Sequence, residues 1–347
     1  IINYQVWCVG VVCILDEPDS IETAMKLRLC ITVSLLLLSI CFPLGNASAT
    51  TFDSWLRDFK KEALTKGISP LTLKNAFKTV KPIPRVVELD RKQPEFTLTF
   101  KQYLTRVVSK RRTKIGKSKL IKHKELLLKV SRKFNVQPRF IIALWGIETD
   151  FGRITGGFPV IASLATLAFD GRRSSFFRKE LLLALKIIED GHITAENMKG
   201  SWAGAMGQNQ FMPSSFHSFA IDYDGDGSAD IWNSLPDIFA SIANYLSKSG
   251  WKGDQNWGRP VFIPTTLPKR LLGKKIKKEI QYWSKLGVKR ANGMELPIAK
   301  MSASIIKPEK GGIGPAYIVY NNYRVILKWN RSDYFATAVG TLADSLR

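Results

Sequence analysis

The stretch FIIALWGIETDFGR, residues 140–153, constrains the fold more than any other part of the sequence. Its apolar residues recur at helical spacing, and Pro138 just before it is typical of the first turn of a helix. The pattern predicts a buried helix that begins at Pro138 and ends near Gly152. One acid, Glu148, lies on the apolar side of this helix. The apolar residues that precede it on that side are Ile141, Leu144 and Trp145.

The position of Glu148 predicts an unusual carboxylic acid. Its apolar surroundings and the partly negative carbonyl end of the helix both oppose ionisation, which predicts a raised pKa and a proton donor near neutral pH. Asp150, two residues on, is turned to another side of the helix. A Glu148 that rotates into solvent or caps a neighbour remains the alternative at this point.

A glycine-rich segment, GSWAGAMGQNQFMPSSF, follows at residues 200–216. Its small residues permit close approach of the backbone, either to a ligand or to another element of the protein. Its polar side chains suit hydrogen bonding to a polyhydroxylated substrate. They are Ser201, Gln208, Asn209 and Gln210.

The first 49 residues have the pattern of an export leader. From Met25 the sequence runs through two basic residues, an apolar stretch and small residues up to Ala49, where we expect cleavage. Residues 1–24 lack an initiating Met, and we expect them not to be translated. The leader predicts a protein of the periplasm or cell envelope.

Two other interpretations of the leader are less favoured. Pro43 and Gly45 break the apolar run before it reaches the length of about 20 residues that a membrane-spanning helix needs. An outer-membrane lipoprotein anchored at Cys41 is disfavoured because Ile40 is bulky where a lipidation site has a small residue.

The positions of the cysteines limit the chemistry that the exported chain can perform. All four cysteines lie in the leader, which excludes a cysteine nucleophile or a thiolate metal site after cleavage. A sizeable core, bound metal or both must therefore stabilise the protein. The four are Cys8, Cys13, Cys30 and Cys41.

From Thr50 onward the chain keeps 50 basic and 25 acidic residues, a net charge of +25. In an exported protein this charge suits cell-wall peptides with free carboxylates or anionic lipid surfaces, rather than nucleic acid. The densest basic run, KRRTKIGKSKLIKHK at residues 110–124, is either a solvated helix face or a surface that binds a polyanion.

The pattern along the chain predicts an α+β fold that is mainly α. Residues 50–130 are an N-terminal helical region, and residues 131–257 form the part that contains Glu148. Residues 258–330 form a small β-rich insertion, and a final helix at residues 331–347 returns to the core.

Local signals place several of these elements. FFRKELLLALKIIEDG is a helix closed by Gly191, and LPDIFASIANYLSKSG is a helix between Pro236 and Gly250. AYIVY and YRVILKW alternate like short strands. The last helix begins at an N-cap, either Ser332 or Asp333.

Several segments together carry a resemblance to a known family. The chain resembles the lytic murein transglycosylases of the membrane-bound B family over about residues 52–346. The segments that carry it are LWGIETDFGR, LATLAFDGRRSSFFRKEL, MKGSWAGAMGQNQFMPSSF, IANYL and LKWNRSDYFATAVGTLAD, in the family's order and spacing.

The resemblance implies a lysozyme-like catalytic core that cuts the β-1,4 bond between N-acetylmuramic acid and N-acetylglucosamine in peptidoglycan. The muramyl C6 hydroxyl replaces water and leaves a 1,6-anhydro end. The family's catalytic glutamate falls on Glu148, which would act first as acid and then as base. Hydrolytic glycosidases usually need two carboxylates, and Asp150 is turned away, while Asp170 from elsewhere in the fold remains open as a second acid.

The family pattern also suggests substrate-binding residues. Ser201 and Gln210 match polar positions near the catalytic acid, and guanidinium groups at Arg172 and Arg173 suit the carboxylates of the lactyl-peptide arm. Further cleft positions are Tyr245, Trp329 and Phe335. Some relatives have tyrosine at the last two, so the hydroxyl is missing here, and simple packing is the alternative for each.

The segment DYDGDGSADIWN, residues 222–233, resembles a calcium loop. Its last position is Asn233, which cannot supply two carboxylate oxygens, so Asp237 of the next helix is the candidate closing ligand. The predicted ligands of a structural Ca²⁺ are Asp222, Asp224, Asp226, the Ser228 carbonyl, Asp230 and Asp237. A metal-free turn is the alternative. The histidines, His123, His192 and His217, are too scattered for a zinc site, and no organic cofactor is expected.

Three other functions stay open from the sequence. One is a lysozyme-type muramidase hydrolase with a second acid, another is a non-catalytic wall-binding protein, and the third is a nucleic-acid binder, which export and the absence of a recognised motif disfavour. We expect a monomer that acts on peptidoglycan glycan strands, and association with the envelope membrane or other cell-wall enzymes remains open.

Overall fold

The structure, a computed structural model, describes residues 51–92 and 98–347. The leader predicted for residues 1–49, with its four cysteines, lies outside the described residues. Within them, no helix combines the length and the apolar character needed to cross a bilayer.

Helices make up most of the described residues before the Glu148 segment, as the sequence predicts. Local capping sets several of their starts: the Ser69 side chain accepts from the Thr72 N–H at 3.1 Å, and Thr99 and Gln102 form a reciprocal capping box. In chain order they are α1 (Phe52–Thr65), α2 (Pro70–Ala76), α3 (Pro84–Lys92), α4 (Phe100–Val107), α5 (Lys110–Lys122) and α6 (Lys124–Phe134).

Helix α7 (Pro138–Thr149) carries Glu148. The helix ends where Asp150 and Phe151 take left-handed backbone conformations, with φ of 51° and 63°, a region that non-glycine residues seldom adopt. Every side chain from Phe140 to Gly146 is buried. The predicted buried helix is therefore confirmed.

The middle of the chain alternates helices with a short antiparallel pair of strands, in which Phe158 lies opposite Gly200. The predicted helix ends are confirmed, since Gly191 and Gly250 follow the helices Ser174–Glu189 and Leu235–Lys248 with φ of 82° and 96°. The elements are β1 (Phe158–Pro159), α8 (Val160–Phe169), α9 (Ser174–Glu189), β2 (Lys199–Gly200), α10 (Pro213–Phe219) and α11 (Leu235–Lys248).

The C-terminal part contains a five-stranded antiparallel sheet. Its strands lie side by side in the order Lys278–Glu279, Ser302–Ile306, Ala316–Val319, Gly258–Phe262 and Lys289–Arg290. Its central register pairs Ile305 with Ile318 and Val261 with Ala316. The elements are β3 (Gly258–Phe262), β4 (Lys278–Glu279), α12 (Ile280–Lys285), β5 (Lys289–Arg290), β6 (Ser302–Ile306) and β7 (Ala316–Val319), with 3-10 turns at Lys269–Leu271 and Lys310–Gly312.

One predicted strand is wrong. AYIVY forms β7 as expected, but YRVILKW lies in helix α13 (Asn321–Trp329). The buried residues of α13 include Tyr323 and Ile326, which are one helical turn apart and face the core. Over seven residues the alternating and helical patterns overlap, so periodicity alone could not separate them. Helix α14 (Asp333–Ser345) follows, and its cap is Ser332, whose side chain accepts from the Phe335 N–H at 3.3 Å.

Two large clusters of buried side chains meet beside α7. The first contains residues of α7, α11 and α14, and the second contains residues of α1, α8 and α9. A third, smaller cluster fills the sheet. Trp329 packs against both large clusters, so the end of α13 lies at the junction between them.

Candidate active site

Glu148 is half-buried in the last turn of α7, at the end of its row of buried apolar residues. Its Oε1 accepts a hydrogen bond from Trp329 Nε1 at 2.7 Å. The Trp329 ring lies 4.6 Å from that of Tyr245 and 5.2 Å from that of Phe211, centroid to centroid. The carboxylate therefore lies against an aromatic cluster and accepts a hydrogen bond from a neutral donor.

Tyr245 supports this arrangement from behind. Its hydroxyl donates to the Lys328 carbonyl at 2.7 Å, and its ring contacts that of Phe219 at 4.3 Å. Burial raises the pKa of the Tyr245 hydroxyl. Because the hydroxyl bonds the backbone next to Trp329, Tyr245 positions the donor to Glu148.

Asp150 has very different surroundings from Glu148. Arg111 binds it with two hydrogen bonds of 3.0 and 2.8 Å, and Arg153 Nε donates to it at 2.7 Å. Arg112 Nε lies 3.5 Å away, and the Asp150 side chain is 4% exposed. Arg111, ahead of the other cations, holds the pKa of this carboxyl well below its usual range. Asp150 is thus a buried anion engaged by cations, not an acid available to a substrate.

The other candidate second acid is also paired. Asp170 accepts from Arg91 Nη2 at 2.8 Å. The two arginines predicted to bind the peptide arm both contact Asp90, which is 1% exposed: Arg172 Nη1 donates to its carbonyl at 2.6 Å, and Arg173 bonds its carboxylate. These contacts join α3 to the start of α9, although both guanidinium side chains remain at least 40% exposed.

The glycine-rich segment is held mainly by its own contacts. Gln210 Nε2 donates to the carbonyls of Thr155 at 3.0 Å and Gly207 at 2.9 Å, and Ser201 Oγ accepts from the Ala205 N–H at 3.0 Å. A Cβ added at Gly200 would lie 2.1 Å from the Ala205 carbonyl oxygen. At Gly200, therefore, close protein packing explains the glycine.

Phe335 lies in the core cluster around α7 and α14, with an exposed fraction of 5%. Its surroundings are those of a packing residue, and the Ser332 cap binds its backbone N–H. The missing hydroxyl at this position therefore matters less than the sequence indicates.

Gln208 and Thr149 are positioning residues whose roles the sequence did not identify. Gln208 Oε1 accepts from Trp145 Nε1 at 2.7 Å, and its Nε2 donates to the Trp232 carbonyl at 2.7 Å. Thr149 Oγ1 donates to the Gln208 carbonyl at 3.0 Å. These bonds fix the glycine-rich segment to the end of α7. Trp145 and Gln208 are 63 residues apart, so the sequence indicated that Gln208 is polar but not that it contacts Trp145.

A groove with a volume of about 1100 Å³ adjoins the same segment. Its lining includes Lys78, Thr155, Lys199 and Trp232, but not Glu148. Thr155 connects the groove to the glycine-rich segment, because its carbonyl accepts a hydrogen bond from Gln210. The groove is therefore beside the Glu148 site and does not contain its carboxylate.

The predicted calcium loop brings three carboxylates together. Ligand oxygens of Asp222, Asp224 and Asp237 all lie within 4.8 Å of one another. Asp237 is buried, and burial raises its pKa even though the N–H groups of Tyr223 and Asp230 donate to it at 2.7 and 2.8 Å. A cation with oxygen ligands fits such a cluster.

The other predicted ligands make contacts within the loop. Asp226 Oδ1 accepts from the Ser228 N–H at 2.8 Å. Asp230 Oδ1 accepts from the Trp232 and Asn233 N–H groups, and Asn233 Nδ2 donates to its carboxylate at 3.2 Å. Asn233 therefore stabilises the loop, and the Asp237 carboxylate lies close to those of Asp222 and Asp224.

Comparison with known proteins agrees with this geometry. Residues 51–344 match the sequence model of the transglycosylase SLT domain family. The chain belongs to this family. The predicted family resemblance is thereby confirmed.

Individual relatives agree. The membrane-bound lytic murein transglycosylase B of Escherichia coli (strain K12) is 32% identical over 227 residues, which cover 65% of this chain and 61% of that protein. The match thus spans less than two thirds of the relative's length.

Solved structures share the fold. SltB3 from Pseudomonas aeruginosa, in complex with NAG-NAM-pentapeptide, has a TM-score of 0.83 at 43% identity, covering 85% of this chain and 79% of SltB3. The Escherichia coli lytic transglycosylase Slt35, in complex with calcium, has a TM-score of 0.72 at 26% identity, covering 87% and 94%. The predicted lysozyme-like, mainly helical α+β fold is confirmed.

Proposed function

We propose that the chain is a peptidoglycan lytic transglycosylase that cuts the MurNAc-β-1,4-GlcNAc bond and leaves 1,6-anhydro-MurNAc ends. The observation that carries the proposal is the contrast between Glu148 and its neighbours: Glu148 has a neutral donor in an aromatic setting, whereas Asp150 and Asp170 are bound by arginines. Family membership supports it, as does the complex of SltB3 with NAG-NAM-pentapeptide.

One carboxylic acid is sufficient for this reaction. Protonated Glu148 gives its proton to the glycosidic oxygen as the bond to muramyl C1 breaks, and the resulting carboxylate stabilises the cationic sugar. The carboxylate then takes the proton of the C6 hydroxyl while that oxygen forms a bond to C1. The indole N–H of Trp329 donates to Oε1 and so orients the carboxyl group. The acid ends each cycle as it began.

The remaining site residues are assigned by their surroundings. Ser201 and Gln210 belong to the glycine-rich segment, which Gln208 and Thr149 fix to the end of α7. Trp329 offers an indole face for a sugar. Tyr245 acts through Trp329, and Phe335 through packing of α14. Arg172 and Arg173 would meet the carboxylates of the peptide arm with the exposed part of their side chains.

The loop at residues 222–233 would hold a structural Ca²⁺. Asp222, Asp224 and Asp237 would supply carboxylate oxygens, and an ion there would neutralise the buried Asp237. The calcium complex of Slt35 supports this assignment. Such an ion would fix the start of α11, which carries Tyr245.

The proposed setting is the cell envelope. The leader pattern of residues 1–49 and the relative named a membrane-bound transglycosylase support export and action on peptidoglycan strands. A lipid anchor at Cys41 remains the alternative to a cleaved leader, and we propose a monomer as the working unit.

Mass spectrometry of muropeptides released from purified sacculi tests the proposal. Wild type should release anhydro-ended products, and Glu148→Gln should release them at least about 100-fold more slowly. Glu125→Gln, at an exposed position of α6, should match wild type. Reducing ends would instead identify a hydrolysing muramidase. Wall binding without release of any product would identify a non-catalytic binding protein.

A further inference from the structure

Helix α5 (Lys110–Lys122) presents an outward row of lysines. Lys110, Lys114 and Lys117 follow one another at spacings of four and three residues, which places them on one side of the helix. Ile121 continues the row four residues later, and it is 77% exposed. We call these four residues the lysine stripe. All four are exposed.

The opposite side of α5 is committed to the protein interior. Arg111 and Arg112 reach Asp150 directly after the Glu148 helix, and Lys119 Nζ lies 5.3 Å from the centre of a Trp145 ring. The helix is therefore fixed along its inner side, and the lysine stripe is a rigid surface rather than a loose tail.

The stripe carries charge that the described part of the chain leaves unneutralised. Helix α5 has seven basic residues and no acidic one. In residues 51–92 and 98–347, its basic groups that form ion pairs are Arg111 and Arg112, both with Asp150. The stripe lysines thus present three positive charges to solvent, next to one another.

We propose that the lysine stripe binds the surface of an anionic phospholipid bilayer. Basic clusters on a helix are attracted to anionic headgroups, with roughly 1 kcal/mol for each Lys or Arg near the surface. Ile121 distinguishes this partner from others, because an exposed aliphatic side chain gains by entering the boundary between headgroups and acyl chains. A single-stranded nucleic acid would instead be met by aromatic stacking groups, and α5 carries none.

The inference does not depend on the proposed catalytic role. The stripe would orient the protein on a membrane, whether residues 1–49 are cleaved or lipidated. Because the contacts of Arg111 and Arg112 with Asp150 are made by the inner side of α5, binding leaves that network intact. Activity on a soluble glycan fragment should therefore not change when the stripe is altered.

Vesicle flotation at low ionic strength tests the inference. The protein used is residues 50–347, which contain every core cluster of the described chain. It should bind phosphatidylcholine vesicles that contain roughly one third phosphatidylglycerol, and about 0.5 M salt should release it. The triple reversal Lys110→Glu, Lys114→Glu, Lys117→Glu should weaken partitioning by about 100-fold. Ile121→Ser should weaken it by a smaller factor.

The matched control reverses three exposed lysines of the sheet region, Lys275, Lys277 and Lys278, with the same change in net charge. Equal loss in both triple variants would overturn the inference, because total charge would then explain binding. Equal binding to pure phosphatidylcholine, or unchanged binding of the stripe variant, would also overturn it.

A conservative triple change to arginine should retain binding, and an unchanged thermal midpoint of the glutamate triple variant would exclude misfolding as the cause of its loss. Competition with a short duplex DNA adds a further outcome. If DNA bound to the stripe displaced vesicles and Ile121→Ser had no effect, the stripe would be a general polyanion site and the bilayer assignment would be wrong.

Discussion

Glu148 and Asp150 are two residues apart, yet the structure gives them opposite environments. Glu148 faces aromatic rings and receives a hydrogen bond from an indole N–H, whereas Asp150 is enclosed by guanidinium groups. The left-handed turn that begins at Asp150 separates them. The surroundings of a carboxyl group, not the group itself, decide whether it is suited to donate a proton or to serve as a fixed anion.

The largest expected effect is on catalysis at Glu148. Glu148→Gln keeps the shape and the contact with Trp329 but cannot transfer a proton, so the rate of anhydro-muropeptide release should fall by about 10²- to 10⁴-fold. The thermal midpoint should stay close to that of wild type. A fully active variant would remove Glu148 from the mechanism and reverse the comparison.

Calcium extends the comparison to a third carboxylate, Asp237, whose charge is buried without a guanidinium. Saturating Ca²⁺ at about 100 times its dissociation constant should stabilise the protein by about 2.7 kcal/mol, measured as a rise in thermal midpoint after chelator treatment. Asp237→Asn should abolish the rise, and Asp254→Asn, at an exposed position outside the loop, should keep it. A rise of equal size in Asp237→Asn would contradict the assigned site.

Asp150→Asn should show the reverse of the Glu148 variant. The change removes the charge that Arg111 and Arg153 bind, and we expect a loss of about 2 kcal/mol in unfolding free energy, moderated because both arginines can turn to water. Denaturant titration measures it. Loss of anhydro products at unchanged stability would instead make Asp150 the second catalytic acid.

The pH dependence of stability sharpens the same point. Because the arginines lower the pKa of Asp150 in the folded state, its contribution is fully present above the unfolded value of about 4 and is lost as the pH falls toward the folded pKa. The stability difference between wild type and Asp150→Asn should therefore shrink below about pH 4. A difference that grew on acidification would contradict the ion-pair explanation.

The smallest expected effect comes from the donor to Glu148. Trp329→Phe keeps an aromatic ring but removes the N–H, so activity should fall roughly tenfold. The carboxylate form loses a stabilising donor, and the pH profile of the rate should move to higher pH. Tyr245→Phe, which loses only the bond to the Lys328 carbonyl, is the matched control and should fall less.

Much of the fold could be predicted because its signals are local. Several signals affect the backbone only a few residues away from them. They are the apolar row of α7, the Ser332 cap and the glycines after α9 and α11. The prediction failed for residues 323–329, where a strand was expected and α13 forms. Seven residues hold fewer than two helical turns, and the decision there came from packing of Tyr323 and Ile326 on the core.

The candidate site was likewise predictable only in part. Spacing placed Glu148 on the apolar side of its helix and indicated the acidic loop, while the catalytic role of Glu148 came from the family resemblance. Composition alone could not show which basic residues of the run 110–124 contact the protein and which face solvent. Arg111 and Arg112 turned out to hold Asp150, while Lys110 and its neighbours in the stripe face solvent.

Local sequence patterns indicated most of the helices, the place of Glu148 in the apolar row at the end of α7 and the resemblance to the family to which the chain belongs. The partner of each charged group depended on the fold, since Glu148 meets an indole 181 residues away and Asp150 meets a guanidinium 39 residues away. The two kinds of feature differ in how far along the chain their causes lie. Helix formation and capping depend on neighbours along the chain, whereas the ionisation of a carboxyl depends on whatever the fold brings within a few ångströms of it.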